Sequence, residues 1–94
     1  MASSLVRAHI LVHGCVQGVF YRAFTAFKAR ALGLCGWVRN LPNGDVEIVV
    51  EGEKAKIKEL LEELWRGPPA ARVSDIEVKY LSFKGDFRTF TILG

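Results

Sequence analysis

Leu5-Val6-Arg7-Ala8-His9-Ile10-Leu11-Val12-His13-Gly14-Cys15-Val16-Gln17-Gly18-Val19-Phe20-Tyr21-Arg22 changes its hydrophobic period partway along. From Leu5 to His13 the pattern alternates. Val6, Ala8, Ile10 and Val12 take one face and Arg7, His9 and His13 the other, the period-two signature of a strand. Gly14 to Val19 breaks the alternation and brings two glycines. From there Phe20, Phe24, Phe27 and Ala31 fall on one face of a helix, which Gly33 is placed to close as a C-terminal cap. A strand feeds a helix through a short glycine-containing loop.

Outward from this segment, Gly36 to Leu41 has the pattern of a second strand and Asp45 to Glu51 of a third. Leu41-Pro42-Asn43-Gly44 between them is a hairpin signal, because Asn-Gly accepts the positive φ such turns require. Ile57, Leu60, Leu61, Leu64 and Trp65 form the apolar stripe of a second helix. Lys54, Lys56, Lys58, Glu59, Glu62 and Glu63 flank it as a solvated face. Gly67-Pro68-Pro69 ends that helix. Ile76, Val78 and Tyr80 alternate in a fourth strand, and Phe87 to Leu93 supplies a short fifth at an edge. The order is βαββαβ with an extra C-terminal strand. Two helices on one face of an antiparallel sheet would bury both stripes, giving the α+β ferredoxin-like sandwich. That architecture hosts enzymes, RNA binders and sensors alike, so function has to come from the site.

Composition sets the outer bounds. Ninety-four residues, half of them hydrophobic, suffice for one core, so residues 1–94 are expected to form a single domain rather than a disordered tail. Two cysteines, Cys15 and Cys35, are too few for a disulfide framework and match no metal spacing, which points to a reducing compartment. No basic leader or long apolar run is present, so no membrane association and a cytoplasmic location are expected. The net charge of +3 favours anionic ligands without selecting one.

The loop between the first strand and first helix carries the chemistry. A glycine-containing turn there can direct backbone N–H groups inward, and the helix start adds free donors and a partial positive charge, a nest suited to phosphate or sulfate. Arg22, in the first helical turn, can add a planar pair of donors to the same oxygens. An ordinary strand-to-helix turn with a surface arginine fits the same composition. Asn40, near a strand end, is by default a turn-former; the two-residue period places it with Gly36 and Val38, opposite Trp37, Arg39 and Leu41.

Gly14-Cys15-Val16-Gln17-Gly18-Val19-Phe20-Tyr21-Arg22 resembles the signature of the acylphosphatase family: a glycine, V-Q-G-V, then an aromatic and an arginine. Gly36-Trp37-Val38-Arg39-Asn40, running into the hairpin, resembles the family's second signature. Gly52 and Gly67 to Val73 also fit its pattern, so the similarity spans essentially the whole chain. Tyr21 departs from it, standing where the family usually has Phe; its hydroxyl is expected to reach solvent or a partner.

The resemblance implies hydrolysis of a carboxyl–phosphate anhydride to a carboxylate and inorganic phosphate by direct attack of an oriented water. Arg22 would bind the phosphoryl group, together with the loop from Gly14 through Cys15, Val16, Gln17, Gly18, Val19, Phe20 and Tyr21. Asn40 would orient the water. The partners are a small-molecule acyl phosphate as substrate and phosphate or sulfate as inhibitory ligand. No cofactor, no metal and a monomer are expected.

Rival readings rank lower on register. His13, Cys15 and Arg22 evoke the HC-x5-R loop of cysteine phosphatases, but six residues separate Cys15 from Arg22 and Gly14 separates the histidine from the cysteine. His9 and His13, about 13 Å apart at 3.3 Å per residue, cannot share a metal ion. Lys84-Gly85-Asp86-Phe87-Arg88-Thr89-Phe90 resembles an RNA-binding aromatic strand, yet it lies on the last strand and Asp86 interrupts it, so no nucleic-acid partner is expected.

Overall fold

A computed structural model describes residues 4–94. The elements are β1 (Leu5–Cys15), α1 (Tyr21–Ala31), β2 (Cys35–Asn40), β3 (Val46–Glu53), α2 (Lys54–Arg66), β4 (Arg72–Ser82) and β5 (Phe90–Ile92). They form one sheet of order β4-β1-β3-β2-β5. Ala8, Ile10 and Val12 of β1 share the buried face with Val46, Ile48 and Val50 of β3 and Val38 of β2. Both helices cover that face, α1 over β2 and β5 and α2 over β1, β3 and β4. The ferredoxin-like arrangement expected from the element order is the one observed. No helix among the described residues is long and apolar enough to cross a membrane.

The sheet is mixed, not antiparallel throughout. β1 pairs antiparallel with β3 and β4, and β2 antiparallel with β3, but β5 runs parallel to β2. The cause is the connection from β4, at one edge of the sheet, to β5 at the other. It crosses at the end where β4 finishes, so β5 starts from that end and runs back in the direction of β2. The crossing segment is fastened to the sheet's outer face. Glu51, only 3% exposed, accepts hydrogen bonds from the Lys84 and Gly85 amides at 2.8 and 3.1 Å. Arg7 bridges to Asp86 at 3.1 Å and lies over the Phe87 ring. Phe87 is therefore part of this strap, and the expected strand shortens to Phe90–Ile92.

α1 buries a different face from the expected one. Tyr21, Thr25, Ala26 and Ala29 are buried, whereas Phe20 and Phe27 are 84% and 69% exposed and Ala31 is also exposed. Small side chains let the helix lie close to the sheet, and Tyr21 fills the space toward α2 with its hydroxyl donating to Leu64 O at 2.6 Å. Phe24 and Phe27 lie beneath the Lys28 ammonium instead. At the other end, the Leu34 and Gly33 amides donate to the Ala29 and Arg30 carbonyls, with Gly33 at φ 73°. This is the glycine-based cap expected there. The apolar stripe of α2 holds at Ile57, Leu60 and Leu64, while Trp65 is half exposed.

Candidate active site

The topology decides where the site can form. β1, β2 and β5 all run in one direction, so their final residues meet at one end of the sheet. α1 begins at that end, directly after β1. A cleft of about 340 Å³ opens there, lined by Val16, Gly18, Phe20, Tyr21, Arg22, Ala23, Asn40 and Ile92. Among the described residues Arg22 is the one charged member of this lining, and no carboxylate or histidine borders it. An anion entering the cleft meets no repelling charge in its wall.

The start of α1 is built to keep its donors free. Phe20 occupies the N-cap position at φ 63° and ψ 20°, a left-handed conformation unusual for a residue with a side chain, and no side chain caps the helix. No acidic residue stands in the first turn. Among the described residues the amides from Val16 to Ala23 donate to no backbone or side-chain acceptor of the protein. Unpaired amides and the positive end of the helix dipole together form an anion-binding surface. The Arg22 guanidinium is held by one hydrogen bond, Nη1 to the Leu93 carbonyl at 3.0 Å.

Asn40 closes the opposite wall. It is the last residue of β2, paired with Val46, and lies on the helix-covered face as the two-residue period requires. Its Oδ1 is buried and accepts no hydrogen bond from the described residues. Buried polar atoms are nearly always satisfied, so an orphan carbonyl at a cleft wall is a feature to explain. Arg39, facing the other way, pairs with Glu47 at 2.6 Å on the outer sheet face.

The other residues expected in the phosphate loop divide. Gly18 and Phe20 line the cleft with Val16, but Gly14 and Cys15 belong to β1, which continues past His13 through a register shift. Gly14 has a packing reason for its identity: a Cβ there would stand 2.1 Å from the Arg72 carbonyl oxygen, at a φ of +129°. Gly14→Ala is expected to cost about 3 kcal/mol, a sum of backbone strain and overpacking. Chemical denaturation checks this; a variant of wild-type stability would show that β4 yields freely. Cys15 is an exposed free thiol outside the lining, and Val19 packs against the core.

Tyr21 borders the cleft but spends its hydroxyl on Leu64, which answers the departure noted in the sequence, and burial raises its pKa well above the ordinary phenol range. Gln17 does not line the cleft. Ala23, in the first turn of α1, and Ile92 do, and the place of Ile92 depends on where β5 docks.

The two histidines are engaged elsewhere. His9 Nε2 lies 2.7 Å from Glu47, and His13 contacts Asp45 and Glu77 at 2.9 and 2.5 Å. The hydrogen bonds with Glu77 and Asp45 raise the His13 pKa above its ordinary value. Among the described residues no group of three or more His, Cys, Asp or Glu side chains is arranged to hold a metal ion.

Comparison with known proteins shows the family. The Acylphosphatase family model matches residues 8–92. The chain is 52% identical to an acylphosphatase of Methylococcus capsulatus, over 93% of this chain and 95% of that protein. It is 54% identical to one from Aeropyrum pernix, over 95% and 89% of the two chains. The crystal structure of acylphosphatase from Bacillus subtilis superposes with a TM-score of 0.92 at 34% identity, covering 95% of this chain and 99% of that one. With a family model spanning most of its length and relatives at about half identity, the chain belongs to the acylphosphatase family.

Proposed function

We propose that the protein hydrolyses acyl phosphates to a carboxylate and inorganic phosphate by direct attack of a water molecule on phosphorus. The carrying observation is that Arg22, the start of α1 with its unpaired amides, and Asn40 border one cleft. In this scheme the amides of the loop and first helical turn, with Arg22, hold the phosphoryl oxygens. Asn40 Oδ1 accepts a hydrogen bond from the attacking water and directs its lone pair at phosphorus. The P–O bond to the acyl group breaks as the new P–O bond forms.

The equipment is small because the reaction asks for little. A carboxylate has an ordinary pKa of about 4, so it departs without a general acid. The transition state spreads charge over the equatorial phosphoryl oxygens, and fixed donors stabilise that charge with no reorganisation. The cleft wall offers no carboxylate or imidazole to act as base, in keeping with a water activated by position. The product anion fits the same donors, so phosphate and sulfate act as competitive inhibitors. The groups the scheme uses lie between Val16 and Asn40, and the protein is proposed to act as a monomer.

The test is hydrolysis of benzoyl phosphate with and without a chelator, by wild type and by Cys15→Ala. Activity unaffected by chelator and retained in the variant is expected. A folded but inactive Cys15→Ala, or loss of activity on chelation, would replace this scheme by a covalent or a metal-dependent one.

A further inference from the structure

We propose that Gln17 is a positioning residue for this reaction, its side-chain amide fixing the distance between the phosphate-facing loop and Asn40. The inference rests on the reading that Asn40 orients the attacking water. Gln17 belongs to the loop that leads into α1, yet its side chain does not line the cleft. Its Nε2 instead donates to two main-chain carbonyls of the β2–β3 hairpin, Leu41 O at 2.7 Å and Asp45 O at 2.8 Å. Both amide hydrogens are consumed. The orientation is forced, because the flipped amide would set an acceptor oxygen against two carbonyl oxygens.

The two carbonyls flank Asn40. Leu41 follows it in sequence, and Asp45 precedes Val46, its partner across the ladder. The hairpin does not need Gln17 in order to close. Leu41 O already accepts from the Gly44 amide at 3.1 Å, and Asp45 O from the Leu41 amide at 2.8 Å. Asn43 closes the turn further, its Oδ1 accepting from the Asp45 amide at 3.0 Å. What Gln17 adds is a cross-link between elements 24 and 28 residues apart. One wall of the cleft binds the phosphoryl group and the other carries the water's acceptor, and this amide ties the two together. Misplacement of reacting groups by about 1 Å costs on the order of 10²-fold in rate, so a cross-link that sets this spacing belongs to the catalytic geometry without touching substrate.

A double-mutant cycle on benzoyl phosphate tests the assignment, using Gln17→Met, which keeps the length of the side chain and removes its donors, Asn40→Ala, and the pair. Gln17→Met is expected to lower kcat by roughly 10-fold or more while the phosphate inhibition constant changes far less. In the Asn40→Ala background the same substitution should lower kcat no further, because the group it positions is gone. The loss of melting temperature it causes should be alike in both backgrounds, so a purely structural role would move stability without this non-additivity. Gln17→Leu, of similar size and likewise without donors or charge, repeats the cycle and should give the same pattern. An equal kcat loss in both backgrounds, or phosphate affinity falling in step with kcat, would overturn the assignment. Wild-type turnover by Asn40→Ala alone would instead remove the reading of Asn40, and the role of Gln17 with it.

Discussion

Arg22→Gln is expected to abolish most activity, lowering kcat/KM by about 10³-fold, the scale on which an arginine stabilises a phosphoryl-transfer transition state. The phosphoryl group is anionic both before and during reaction, so the guanidinium serves the ground state and the transition state alike. Inhibition by inorganic phosphate should therefore weaken along with turnover. Lysine should rescue little, since a compact point charge cannot reproduce paired planar donors. Stability offers the control. Arg22 is half-buried and makes one side-chain hydrogen bond, to the Leu93 carbonyl, so its loss should cost about 1 kcal/mol or less. Single-turnover kinetics and a phosphate titration on the folded variant check the result. Normal phosphate affinity in Arg22→Gln would move the anion site away from this residue.

How far the sequence discloses such a site depends on whether local pattern or tertiary docking places each group. β1, β2 and β3 are legible because alternation fixes which side chains face the helices, and the same rule puts Asn40 on the face of Val38. Arg22 is legible because a period change at a glycine-containing loop marks a helix start. The buried face of α1 is not, because hydrophobicity selects Phe20 and Phe27, whereas close packing selects Thr25, Ala26 and Ala29. Phe20 has a specific reason to be outside: its left-handed backbone at the N-cap sets its side chain apart from the helical faces. The parallel pairing of β5 follows from where the 83–89 segment crosses the sheet, which the short strand itself does not encode. Gln17 shows the same limit inside a recognisable signature. Its place in the loop is visible in the sequence, but that its side chain leaves the loop for the hairpin depends on how β2 and β3 come to rest beside it.

Asn40→Ala is expected to separate function from stability most cleanly. Its Oδ1 accepts no hydrogen bond from the described residues, so truncation breaks no protein bond through that oxygen. Removing it should therefore cost about 1 kcal/mol or less, a small shift in melting temperature. Turnover should move far more. Losing one positioned hydrogen-bonding group at a reacting centre lowers kcat by about 10²-fold, and the water here has no carboxylate or histidine in the cleft wall to take over. Phosphate inhibition should barely change, because Arg22 and the amides at the start of α1 remain. For the same reason kcat of the wild type should show no steep fall between mildly acidic and neutral pH, there being no general base in the cleft to protonate. The measurements are thermal unfolding, single-turnover kinetics and a phosphate titration on one preparation. A destabilised Asn40→Ala would mean that its amide holds the hairpin. A variant that fails solely because phosphate no longer binds would place Asn40 among the anion's ligands, and not beside the water.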